Sequence, residues 1–298
     1  MPESATAAYA PFGRVLVAMV TPFQADGSLD VDGAQRLATH LVDSGCDGLV
    51  VNGTTGESPT CTDDEQQRLV RAVVDAVGDR ARVIAGVGTN STRHTIELAR
   101  AAEKAGAHSA LVVTPYYNKP PQAGLLNHFR TVADATGLPI MLYDIPGRTG
   151  MALETNTIVR LSEHPRIVAI KDAKGDFQAT SWVRARSDIA VYSGDDAATL
   201  PLMALGAVGV VGVTSHIASP QMKAMIEAFD NGSPGEARDI HLRLMPAFTG
   251  LFRTQGVILA KAALELRGLP SGPVRPPLVD ATIDQVAQLK KDLAAAGL

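Results

Sequence analysis

"ALGAVGVVGVT", residues 204–214, closes an amphipathic stretch with a glycine and then runs through valines that have no polar side. A strand with one wet face alternates apolar and polar residues. An unbroken apolar run has both faces buried, as in a parallel sheet covered by helices. The glycine ahead of it suits the left-handed residue that ends a helix. The same arrangement returns in SGCDGLVVNG (44–53), KAGAHSALVVTP (104–115) and ATGLPIMLYD (135–144). Eight such runs occur, at 15–20, 48–52, 83–87, 110–114, 140–143, 167–171, 190–193 and 209–213. Eight βα units predict an α/β protein with a closed (β/α)8 TIM barrel; an open doubly wound sheet does not normally need so many.

Helix signals fit between the runs. Thr62-Asp-Asp-Glu65 has the capping-box spacing for a helix through Val77, and Ser91 suits the cap of a helix through Ala105. After the last run, further helices are expected from near Ser219, Pro234 and Asp280, and over 257–266, more than a barrel needs. The expected organisation is an N-terminal tail (1–13), a catalytic barrel (14–232) and a C-terminal helical region (233–298) packed on its side. The Pro-rich GLPSGPVRPP (268–277) would be a linker.

Composition narrows the function. The 298 residues are 46% hydrophobic with a net charge of −4, enough for a large core and without the basic surface that nucleic acid or an anionic membrane requires. Only Cys46 and Cys61 occur, which is neither a disulfide framework nor a metal-spaced set and predicts a reducing, cytoplasmic setting. The start lacks a signal-peptide pattern, and no apolar run is long enough to span a bilayer. His40, His94, His108, His128, His164, His216 and His241 show no ligand spacing, and Gly86-Val-Gly88 lacks the third glycine of a dinucleotide turn.

In such barrels chemistry gathers where strands end. After the second, fourth, fifth, sixth and seventh runs come NGTTGE (52–57), TPYYNKP (114–120), LYDIPGRTG (142–150), IKDAKGD (170–176) and SGDD (193–196). Lys171 is the informative member. At the reference pKa of about 10.4, only roughly one such amine in 2,500 is neutral at pH 7. Inside an apolar mouth it loses hydration, and a depression of about three units, costing roughly 4 kcal/mol, makes it a nucleophile able to form a Schiff base with a carbonyl. A lone strand-end lysine commonly runs out to solvent instead. Its neighbours argue otherwise. Tyr143 can exchange a proton, Thr54 and Thr55 offer hydroxyls and turn N–H groups for a carboxylate, and the planar fork of Arg148 matches a carboxylate bidentately. Singly, each has an ordinary structural reading in strand packing, a helix lead-in or a surface ion pair.

Taken together, NGTTGES, VTPYYNKP, LYDIPGRTG and VAIKDAKGD, in this order from residue 52 to 176, resemble the dihydrodipicolinate synthase/N-acetylneuraminate lyase superfamily of Schiff-base aldolases, and most of all its dihydrodipicolinate synthase family. The resemblance covers nearly the whole chain. It implies that Lys171 condenses with pyruvate, that Tyr143, Thr54 and Tyr117 reaching across a subunit interface relay protons, and that Thr55 holds the pyruvate carboxylate. It further implies that Arg148 contacts the carboxylate of aspartate semialdehyde and that Gly194 and the Val211 carbonyl line the pyruvate pocket. It implies no metal or organic cofactor, and assembly as a homotetramer, a dimer of dimers.

One departure lies away from the chemistry. In lysine-inhibited members, the resemblance places an inter-subunit effector pocket over 58–66, Asn90, residue 94 and Tyr116. Ser58, Asn90 and Tyr116 match, but His94 stands where those members have a glutamate, and Asp63 and Gln66 replace histidines. Losing a carboxylate that pairs a buried ammonium costs a few kcal/mol, so weak or absent lysine inhibition is expected. Rival readings are a sialic acid or 2-keto-3-deoxy sugar acid aldolase, a non-catalytic keto-acid-binding barrel and a metal-dependent aldolase. Thr54 beside Thr55, the Tyr116-Tyr117 pair and Arg148 favour the synthase; a filled site and unclustered histidines disfavour the other two.

Overall fold

The computed structural model describes residues 9–298; most of the expected N-terminal tail, residues 1–8, lies outside the described residues. Eight parallel strands close on themselves in chain order: β1 (Val15–Ala18), β2 (Gly48–Val51), β3 (Arg82–Gly86), β4 (Ser109–Val113), β5 (Ile140–Asp144), β6 (Ile167–Asp172), β7 (Ala190–Ser193) and β8 (Gly209–Gly212), with β8 pairing back onto β1. This is the expected TIM barrel. Each strand splits its side chains between two cores. Val17, Leu49, Val83, Val112, Leu142 and Ile170 face the helices. Leu16, Val50, Ile84, Leu111, Met141 and Ala169 fill the barrel axis. That division explains why the runs have no polar face.

Between the strands run α1 (Val31–Asp43), α2 (Asp63–Val77), α3 (Thr92–Lys104), α4 (Gln122–Asp134), α5 (Pro146–Thr149), α6 (Thr155–Ser162), α7 (Phe177–Arg186) and α8 (Thr199–Ala204). The Thr62/Glu65 capping box opens α2 and Ser91 caps α3, as their spacing predicts. The last barrel helix, α9 (Ser215–Asp230), breaks its helical dihedrals at Ala218 ahead of Pro220, so its regular part starts near Ser219. Beyond it come α10 (Pro234–Gly250), α11 (Gly256–Glu265) and α12 (Ile283–Ala295), with α10 packed along α9 and α12 against α10.

Three details depart from the sequence reading. Phe12, inside the expected tail, is buried in the axial core, and its N–H donates to the Tyr192 hydroxyl at 3.2 Å. The helix expected from Asp280 begins at Ile283, because Thr282 and Gln285 form its capping box while Asp280 accepts the Val274 N–H. The 268–277 stretch is no loose linker. Gly272 sits so close to Phe23 that a Cβ there would lie 1.8 Å from the Phe23 carbonyl oxygen, and Arg275 bonds to Gly27, Thr60 and Glu65.

Candidate active site

Lys171 reaches the barrel axis because β6 carries an extra residue. Ile140 of β5 pairs with Ile167, but the next residue, Met141, pairs with Ala169, leaving Val168 as a bulge. A one-residue slip moves every later side chain to the other face. Ile167 therefore faces the helices, Ala169 faces the axis, and Lys171, two residues on, faces the axis too. Without the bulge, the alternation from Ile167 would send Lys171 out among the helices. Just past the end of β7, Gly194 leaves room for its stem: a Cβ there would lie 3.1 Å from the Lys171 Cγ and 2.8 Å from the Ala173 Cβ.

The Lys171 side chain is 5% exposed, and its Nζ lies 4.3 Å from the centre of the Tyr143 ring, its register neighbour on β5. Burial pulls its pKa down to about 8, the charge of Asp196 resists that fall, and Arg148 adds to it. At that value about one amine in ten is neutral at pH 7. Tyr143 moves the other way, pushed up to about 12 by burial, with Arg148 and the neighbouring Thr54 side chain opposing. It therefore keeps its proton at neutral pH and can donate it.

Tyr143 lines a cavity of about 530 Å³, whereas Lys171, Thr55, Gly194 and Val211 are not among its lining residues. Thr54, Tyr143 and Arg148 line one part of it, and the candidate effector residues Ser58, Gln66, Asn90, His94 and Tyr116 line the rest. Thr55 is half-buried beside Thr54, and Val211 is buried in the axial core on β8. Among the described residues the N–H groups of Thr54 and Thr55 meet no acceptor, so the turn offers free donors. Arg148, at the exposed mouth, donates from Nη2 to the Gln255 Oε1 at 2.8 Å. Tyr117 is not brought to Lys171 within the chain: it is 89% exposed, with a left-handed φ of 73° that is uncommon for a bulky residue.

Two of the three departures in the candidate effector pocket have found each other. The Nε2 of His94 lies 3.1 and 3.0 Å from the two carboxylate oxygens of Asp63, and the Gln66 amide donates to the Ser58 and Cys61 carbonyls. Among the described residues, no three His, Cys, Asp or Glu side chains are placed to share a metal ion.

Four polar residues escaped the sequence reading. Asp196 lies in the SGDD loop; its Oδ2 accepts from the Val213 and Thr214 N–H groups and the Thr214 hydroxyl, and burial raises its pKa. Lys174 pairs with Asp144 at 3.2 Å while Asp144 accepts the Leu153 N–H, fastening both ends of the loop that carries Arg148. That accounts for the second lysine of VAIKDAKGD. Gln255 and Lys261 stand on the C-terminal side. Asp196 and Lys174 stand in the strand-end motifs SGDD and IKDAKGD without a role read from them; Lys261 left a trace as a lone charge in the apolar VILAKAAL, since a helix apolar all round is buried and a charge in it needs a partner.

Residues 11–296 match the sequence model of the Dihydrodipicolinate synthetase family. The chain is 73% identical over 288 residues to the 4-hydroxy-tetrahydrodipicolinate synthase of Acidothermus cellulolyticus, covering 97% of this chain and 94% of that one. Among solved structures, a dihydrodipicolinate synthase from Cyanidioschyzon merolae with lysine bound superposes with a TM-score of 0.94 at 49% identity, over 96% of this chain and 99% of that one. Another, described as the first monomeric dihydrodipicolinate synthase variant, superposes with a TM-score of 0.93 at 38% identity, over 96% and 97%. A lysine on the axis of a closed barrel, a threonine turn with free donors and a full-length match lead to one conclusion: the chain belongs to the dihydrodipicolinate synthetase family.

Proposed function

We propose that this chain condenses pyruvate with L-aspartate 4-semialdehyde through an imine on Lys171, giving 4-hydroxy-tetrahydrodipicolinate on the way to diaminopimelate and lysine. Its class is that of its named relatives, a lyase of the class I aldolase type. The observation that carries the reading is Lys171, a dry amine held near pKa 8 against a protonated Tyr143. The neutral amine attacks C2 of pyruvate and water leaves. The protonated imine then draws electrons, C3 loses a proton, and the enamine attacks the aldehyde carbon. The amino group of the second substrate adds to C2, displaces Lys171 and closes the ring.

The supporting roles follow from placement. Thr55 and the free N–H groups of its turn receive the pyruvate carboxylate, with Gly194 and the Val211 carbonyl lining the pocket. Arg148 receives the carboxylate of the aldehyde substrate at the mouth. Tyr143, Thr54 and Tyr117 of a neighbouring subunit pass protons between the pocket and solvent. An exposed tyrosine on a left-handed backbone is in keeping with a residue that is completed by assembly. We propose a homotetramer, a dimer of dimers; sedimentation velocity of the purified chain decides between it and a monomer. A barrel over 14–232, a helical region over 233–298 and a cytoplasmic setting belong to the same proposal. Among the described residues, no helix is long and apolar enough to cross a membrane.

The test is turnover with pyruvate and aspartate semialdehyde, set against cleavage of N-acetylneuraminate and of 2-keto-3-deoxy sugar acids. The proposal predicts a kcat/KM for the condensation at least about 100-fold above that for either cleavage, since each lost carboxylate contact costs a factor of ten or more. Equal or faster cleavage of a sugar acid would assign the lysine to the other branch of the superfamily.

A further inference from the structure

We propose that Lys261 and Glu57 form a positioning pair through which helix α11 holds the Thr54–Thr55 turn in the shape that receives the pyruvate carboxylate; this rests on the function proposed above. The turn is built by short local bonds. The Gly53 carbonyl accepts from the Gly56 and Ser58 N–H groups at 3.0 and 3.4 Å, and the Thr54 carbonyl accepts from Glu57 at 3.1 Å. The turn ends at Glu57, whose φ of 54° lies in the left-handed region that a non-glycine residue keeps only when its surroundings fix it.

What fixes it comes from the far end of the chain. The Glu57 side chain is buried; its Oε1 lies 2.7 Å from the Lys261 Nζ, and its Oε2 accepts the Arg275 N–H at 2.8 Å. Lys261 is buried as well and donates to the Pro273 carbonyl at 2.7 Å. The Lys261 ammonium lies 4.4 Å and the Arg275 guanidinium 4.1 Å from the centre of the Phe23 ring. With Gly272 pressed on the Phe23 backbone, this floor has no slack in which to repack.

Each charge of a dry pair compensates the other, so removing one leaves its partner buried and unpaired. Glu57 relieves that by taking up a proton or by moving toward solvent, and either change alters its grip on the turn. The half of the turn free to follow is the exposed Thr54 side, which carries the donors. Neither Lys261 nor Glu57 itself lines the cavity. Loss of the pair should therefore weaken capture of the carboxylate and leave the chemistry that follows nearly intact.

The experiment uses the full chain with Lys261→Met, Lys261→Arg and Glu57→Gln, steady-state kinetics in both substrates, and borohydride trapping against pyruvate concentration. For Lys261→Met the pair predicts a pyruvate KM raised about tenfold or more, a kcat lowered by less than about threefold and an unchanged KM for the aldehyde. Lys261→Arg restores most of the affinity. Glu57→Gln keeps the side chain's shape and raises the pyruvate KM about threefold, which carries the test should Lys261→Met fail to fold. A folded variant of either site with a pyruvate KM within about twofold of wild type overturns the pair, as does a loss confined to kcat or to thermal stability. Trapping separates this failure from the other one: wild type that captures no pyruvate overturns the proposed function, and this role with it.

Discussion

Lys171 and Lys261 are two buried ammonium groups, 5% and 3% exposed, each over an aromatic ring at 4.3 and 4.4 Å. Burial lowers the pKa of both. The carboxylate is what separates them. Glu57 and a carbonyl hold Lys261 charged on the floor of the threonine turn, whereas no carboxylate lies within ion-pair distance of Lys171 among the described residues. Asp196 acts on Lys171 only through its field, and Arg148 opposes it. A buried lysine with a partner is a strut, and one without a partner is a reagent.

The most severe way to strain this contrast is Lys171→Met, which keeps the volume and removes the amine. Activity should fall by about 10⁴-fold or more, while stability at pH 7 should rise by about 2 kcal/mol, because an unpaired buried charge is removed. The unfolded chain keeps this proton up to about pH 10.4 and the folded chain only to about 8, so folding releases it between those values. Wild-type stability therefore climbs with pH across that window and the variant's advantage fades. Denaturant titrations at pH 7 and pH 9.5 read both points, and a variant less stable than wild type at pH 7 would place Lys171 among the struts.

Arg148→Ala should lower kcat/KM for the aldehyde about 100-fold while leaving pyruvate trapping unchanged, since only the outer carboxylate loses its fork. A loss of trapping would merge the two sites. Next comes the pH dependence of imine formation. The reactive species is the neutral amine, so the trapping rate should rise about tenfold from pH 7 to a plateau above pH 8 to 9. A flat profile would mean that the amine is already neutral or never titrates. The smallest effect concerns the candidate effector face. With His94 paired to Asp63, 10 mM lysine, roughly the scale of a weak site, should lower turnover by less than about a fifth. Half-inhibition at that concentration would show that the pair opens for a ligand.

Much of this contrast was legible in the sequence, though unevenly. The eight strands are readable because both their faces are buried, so the apolar runs coincide with them to within two residues. Lys171, Tyr143, Thr54 and Arg148 are readable because each ends or follows such a run and the barrel brings strand ends together. The bulge at Val168 is not readable, since inserting one apolar residue in an apolar run leaves no mark, yet it turns Lys171 inward. Nor is the grip of α11, because Lys261 and Gln255 meet Glu57 and Arg148 across more than a hundred residues of chain. The strap at 268–277 looks like a linker by its prolines and is fastened by Arg275, whose partners no local pattern names.

The central claim is that Lys171 is the reagent, and intact mass after incubation with pyruvate and borohydride tests it most directly, with Lys171→Ala alongside. The account predicts one reduced pyruvyl adduct per chain on wild type, located on Lys171 by peptide mapping, and none on the variant. No adduct on wild type, or an adduct on Lys174 or Lys261 that survives in the variant, would contradict it.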